Sequence, residues 1–163
     1  MVEESEARAR LGREVDRVRL IAIDPGKTSG FAEFHNGKLV EAMALSEREI
    51  LTKSPVGRGV CVIELPVVYP TRNVPAADLI DLAVLVGDLR GLYRRHAFET
   101  VLVKPRTWKG TTPKAIHHKR LLAALASEER DRLPLRPRAK NYDHNMLDAI
   151  GIGLWQLTRK GER

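Results

Sequence analysis

The stretch "LIAIDPGKTSGFAEFHNGKLVEAMAL", Leu20 to Leu45, sets an apolar run against an aspartate, a Pro-Gly turn and two further apolar segments. Counted from Val18, the run to Asp24 is rich in β-branched residues and ends at Pro25-Gly26, the pattern of a buried strand entering a tight turn. Asn36-Gly37 then separates "SGFAEFH" from "KLVEAMAL", and this dipeptide accepts the positive φ angles of a two-residue hairpin. Three consecutive antiparallel strands are expected, with Asp24 at the C-terminal end of the first. Gly26-Lys27-Thr28 mimics the tail of a phosphate-binding P-loop, but that motif needs a glycine where Ile21 stands and a helix directly afterwards. A hairpin follows instead, so the loop lacks the helix N-terminus whose amides and dipole would cradle a phosphate.

Further along, "VCVIELP", Val60 to Pro66, reads as a second apolar strand that closes on a carboxylate, Glu64. "PAADLIDLAVLVGDLRGLYRRHAF" carries apolar residues at 79, 82, 83, 86, 89 and 93, a helical stripe, and leaves Asp78, Asp81 and Asp88 for its solvated face. "TVLVKP" is a third short strand. "TPKAIHHKRLLAALASEER" opens as a helix with Thr112 as N-cap and Pro113 at the first position. A loop rich in Arg and Pro leads to "YDHNMLDAIGIGLWQLTRK", apolar enough for a largely buried helix, with Asp143 as its N-cap. Residues 1 to 16 are mostly charged and form an arm before a domain at 17–160.

Composition narrows the partners. The chain has 163 residues, 28 Lys and Arg against 21 Asp and Glu, a net charge of +7 and a pI near 9.9. That balance favours a polyanion, nucleic acid before an anionic membrane. The single cysteine, Cys61, sits in an apolar run and fits a reducing compartment. No window has the length and apolarity of a membrane span, so the expected setting is the cytoplasm, with no membrane partner.

Many strands end in Asp for turn chemistry alone, and Asp24 in isolation carries that reading as well as a metal-ligand one. Asp148 is harder to set aside. Its neighbours in "MLDAIGIGLW" are apolar or glycine, so its charge costs several kcal/mol unless paired or coordinated. Asp24, Glu64 and Asp148 together would repel one another unless a divalent cation sat between them.

In "IAIDPGKTSGFA", "VCVIELPVVYP", "VLVKPRTWKGTTPK" and "HNMLDAIGIGLW", in that order, the chain resembles the RNase H-like nuclease superfamily, and within it the RuvC-type Holliday-junction resolvases, particularly phage-type members. The resemblance spans about residues 17 to 160. It implies an α/β fold: a mixed five-stranded sheet, three strands antiparallel and two parallel, with helices on both faces. It also implies a homodimer that nicks two strands of a four-way DNA junction symmetrically. The location would then be the host cytoplasm for a phage-encoded protein. The metal-binding catalytic acids would be Asp24, Glu64 and Asp148, holding Mg²⁺ or Mn²⁺ as two ions per site. One ion would activate water for in-line attack and the other would stabilise the leaving 3′ oxygen.

The chain departs from the family where an acid or histidine often stands three residues before the final aspartate. Here that residue is Asn145, preceded by His144. Both share a helix face with Asp148, so Asn145 as a carbonyl ligand, His144 as a ligand or proton carrier, and simple capping of the helix start all stay open. For DNA, Lys104, Arg106, Lys109, Lys114, Lys119 and Arg120 form a basic run after a strand that borders the acidic site, with Lys109 and Lys114 nearest the cleaved bond by resemblance. His117 joins them as a phosphate contact, while Trp108 is read as core and His118 is unassigned. Tyr69 is placed as an aromatic wedge at the junction centre, with Arg72 and Asn73 on the backbone beside it. Two rival functions remain: an RNase H-like nuclease acting on RNA, hybrid or other branched DNA, and a junction-binding protein with impaired catalysis.

Overall fold

The structure, a computed structural model, describes residues 19–68, 74–136, 138 and 141–161. Tyr69, Arg72, Asn73 and the N-terminal arm lie outside the described residues. Five strands form one sheet: β1 (Arg19–Asp24), β2 (Thr28–His35), β3 (Lys38–Ser46), β4 (Gly59–Glu64) and β5 (Phe98–Val103), in the order β3-β2-β1-β4-β5. The first three are antiparallel, and β4 and β5 run parallel to β1. This is the mixed sheet expected from the sequence.

The β2–β3 hairpin turns on Asn36 and Gly37 at φ 50° and 76°, the left-handed pair that a two-residue hairpin needs. Among the described residues six helices accompany the sheet: α1 (Glu47–Thr52), α2 (Ala76–Arg95), α3 (Pro105–Lys109), α4 (Lys114–Ala124), α5 (Ser127–Asp131) and α6 (His144–Lys160). Strand alternation sorts the core into two layers. Leu20, Ala22, Val60 and Val62 pack with Met146, Ile150 and Ile152 of α6, while Ile21, Ile23, Cys61 and Ile63 pack with Leu85, Leu89 and Tyr93 of α2. Helices therefore cover both faces.

Two sequence readings shift. Pro113 has an extended ψ of 140° and is the N-cap of α4, one residue later than the expected Thr112. The helix expected to begin at "TPKAIHHKR" breaks at Leu125 before α5. The break aims Glu129 at the sheet edge, where its carboxylate accepts from the Leu39 N–H at 2.7 Å while Arg132 donates to the Leu39 carbonyl at 3.0 Å. Edge strand β3 is thus partly capped by side chains rather than left as open backbone.

Candidate active site

The two-residue period of the strands decides where the acids point. Asp24 continues the row Leu20, Ala22, and Glu64 continues the row Val60, Val62, all on the α6 face. β1 and β4 are in parallel register, with Ile23 opposite Ile63, so the two acids emerge side by side at the carboxyl ends of adjacent strands. From above this face, α6 lowers Asp148, which is 3 % exposed. Close approach of α6 to β2 depends on Gly30: a Cβ there would stand 1.8 Å from the Asn145 carbonyl oxygen.

The electrostatics tie the three acids together. Burial foremost, then the charges of Glu64 and Asp148, push the Asp24 carboxyl well above its ordinary value, against the pull of Lys109 and Lys114. Glu64 is also raised by burial, partly offset by a hydrogen bond from Trp108. Burial acts on Asp148 in the same sense, but hydrogen bonds from His118 and Lys114 and the charges of Lys114 and Lys109 outweigh it and hold that carboxyl low. Of the three, Asp24 is therefore the acid most disposed to hold a proton while no cation offsets its neighbours.

The short helices α3 and α4 supply the surrounding donors. Trp108 Nε1 donates to Glu64 Oε2 at 2.5 Å, and Lys109 Nζ lies 4.9 Å from the Trp108 ring centre. Lys114 Nζ contacts Asp148 Oδ2 at 2.9 Å, and His118 Nε2 contacts Asp148 Oδ1 at 2.7 Å. Trp108 is core, as read from sequence, yet its indole N–H also serves the site. Sequence reading left His118 unassigned. The available signal was its spacing of four from Lys114, which places both on one face of α4.

The remaining candidates divide. Asn145 Nδ2 donates to the Thr28 carbonyl at 2.7 Å, fastening the start of α6 to the start of β2. Asp143 caps α6, accepting from the Asn145 and Met146 amides at 2.8 and 3.4 Å. His144 is exposed beside it. His117 packs against Trp108, ring centres 5.2 Å apart, with Nε2 buried. Lys104, Arg106, Lys119 and Arg120 are exposed on the same segment.

All the acidic donors are carboxylate oxygens, the ligand type of hard divalent cations, and burial together with the charges of Glu64 and Asp148 disfavours an ionised Asp24 in a way that such a cation would offset. The donor chemistry fits the group that the resemblance implies. Among the described residues no three such side chains converge on a ready-made ion site. Both Asp148 oxygens and one Glu64 oxygen are instead engaged by Lys114, His118 and Trp108.

No protein-family model matches the chain, and no curated protein does either. Among solved structures, the fold is similar to Thermus thermophilus RuvC, with a TM-score of 0.57 at 14 % identity, covering 89 % of this chain and 98 % of that one. It is equally similar to T. thermophilus RuvC in complex with Holliday junction substrate, TM-score 0.57 at 15 % identity, covering 88 % and 96 %. The shared architecture is the RuvC, RNase H-like fold.

Proposed function

We propose that the chain is a structure-selective DNA endonuclease that resolves four-way junctions by metal-dependent phosphodiester hydrolysis, its nuclease domain spanning residues 17–160. The observation that carries this reading is the placement of Asp24 and Glu64 at the ends of adjacent parallel strands, facing Asp148, with Lys109 and Lys114 beside them. A similar fold is solved with a Holliday junction substrate, which supports branched DNA as the partner. A phage-type origin rests on the motif resemblance alone.

Asp24, Glu64 and Asp148 would hold Mg²⁺ or Mn²⁺, with Asn145 or His144 completing a weaker position; when bound, the metal supplies an activated water and a counter-charge for the leaving oxygen. The chain's own residues do the rest. Lys109 and Lys114 neutralise the scissile phosphate as it approaches three carboxylates that would otherwise repel it. Trp108 and the packed α6 exclude water behind the acids. Lys104, Arg106, Lys119 and Arg120 extend the positive surface along the DNA arms, adding sequence-independent affinity. His117 has a smaller part in this reading, since its ring is committed to Trp108. Tyr69 stacks on an unpaired base at the junction centre, with Arg72 and Asn73 on the backbone.

A four-way junction has twofold symmetry, which a homodimer with two equivalent sites matches. Support for dimerisation comes from the outer face of α2, where Ile80 is 62 % and Val84 58 % exposed. Gly87 and Gly91 continue that line with open space above them, room for a second helix to approach.

The experiment is a competition among matched four-way junction, flap, RNA–DNA hybrid and linear duplex, with Mg²⁺ and with Mn²⁺. Preferential nicking of the junction is expected. Preferential nicking of flap or hybrid would favour the broader RNase H-like activity, and junction binding without nicking a binding protein.

A further inference from the structure

His118 stands four positions after Lys114, about one helical turn, and the two side chains reach different oxygens of the same carboxylate. They are not equivalent. The Lys114 side chain is 51 % exposed and carries a point charge on a flexible stem, which attracts Asp148 without fixing its rotation. The His118 side chain is only 14 % exposed, and its planar ring meets Oδ1 at 2.7 Å through one nitrogen. Its ring is braced in turn. His117 lies beside it, ring centres 6.2 Å apart, and His117 packs edge-on to Trp108, whose indole N–H holds Glu64. Two of the three acids are thus held from one short segment, residues 108 to 118, through ring N–H groups.

We infer that His118 is a positioning residue for Asp148: its hydrogen bond to Oδ1 fixes the carboxylate's orientation in the acidic site and thereby sets the affinity of that site for a divalent cation. The inference rests on the metal-dependent reading above. A carboxylate already held by an outer donor loses less freedom when it ligates, and such outer contacts typically change metal affinity 10- to 100-fold. A purely structural His118 would serve only to satisfy a buried acid.

The test measures Mn²⁺ binding to the full chain, without DNA, by titration calorimetry for wild type, His118→Phe and His118→Gln. Phe keeps a ring of similar breadth without the N–H, and Gln keeps an N–H donor at comparable reach. His118→Phe is expected to weaken Mn²⁺ binding about tenfold, His118→Gln to recover most of it, and both to bind a four-way junction in chelator as wild type does. If the Phe variant does not fold, His118→Leu, likewise without an N–H donor, takes its place. Wild-type Mn²⁺ affinity in the donor-less variant, or an equal loss in the Gln variant, would overturn the positioning role alone. A wild-type chain that binds no Mn²⁺ would overturn the metal-dependent reading and this inference with it.

Discussion

Asp24 follows four buried residues, Leu20 to Ile23, and the fold spends part of its stability keeping a carboxyl there beside Glu64 and Asp148. Because its folded-state pKa is raised, the folded chain binds the proton more tightly than the unfolded chain. Its contribution is most favourable below the ordinary carboxylate range and is lost as pH rises through the raised value. Asp24→Asn should therefore raise the melting temperature in chelator at neutral pH, by about 2–4 °C, with the gain fading as the pH falls into the carboxylate range. Thermal unfolding across pH checks this; a gain independent of pH would contradict it. Gly30 marks a second constraint, since any side chain there strikes α6 backbone. Gly30→Ala should cost about 3 kcal/mol in urea denaturation. At this scale the three acids were legible because each ends or interrupts an apolar run that gives a charge no easy exit. His118 was not legible, because two adjacent histidines on a helix reveal which one faces inward only once α4 is laid against α6.

The elements that ran together in sequence were the ones with explicit punctuation. Asn36-Gly37 announced the hairpin, and the residues at 79, 82, 86, 89 and 93 mark the inner face of α2, with Ala83 exposed instead. Helix α1 went unread although Ser46 and Glu49 form a reciprocal capping box, the Ser46 amide donating to Glu49 Oε2 at 2.7 Å and the Glu49 amide to Ser46 Oγ at 3.3 Å. Six residues are too few for a periodic stripe, so only the cap could have revealed it. The outer face of α2 yields the prediction at this scale. Under the proposed twofold assembly, Ile80→Glu with Val84→Glu should convert the dimer to a monomer while changing the protomer's stability by less than about 0.5 kcal/mol, because both positions are exposed within the protomer. Sedimentation of the variant against wild type decides it, and an unchanged mass would remove α2 from the interface.

For the whole molecule, a net charge of +7 surrounds a site that is locally acidic. In the proposed nuclease the basic residues would draw in the polyanion and the acids would meet it, so both signs of charge have a part. Among the described residues no helix is long and apolar enough to cross a membrane. The sheet order, with β1 at the centre, explains why residues more than a hundred positions apart in sequence meet: β1 and β4 carry Asp24 and Glu64 to one end of the sheet, and α6 crosses back over β1 and β2 to bring Asp148 to them. The order of motifs made this fold readable, while the donors of α3 and α4 required the packed structure. The central claim is tested most directly by incubating an end-labelled, immobile four-way junction and a linear duplex of the same sequence with wild type and with Asp24→Asn, in Mg²⁺, in Mn²⁺ and in chelator. Paired symmetric nicks in the junction that require both metal and Asp24 are predicted; tight, metal-independent binding of the junction without nicks by the wild-type protein would contradict it.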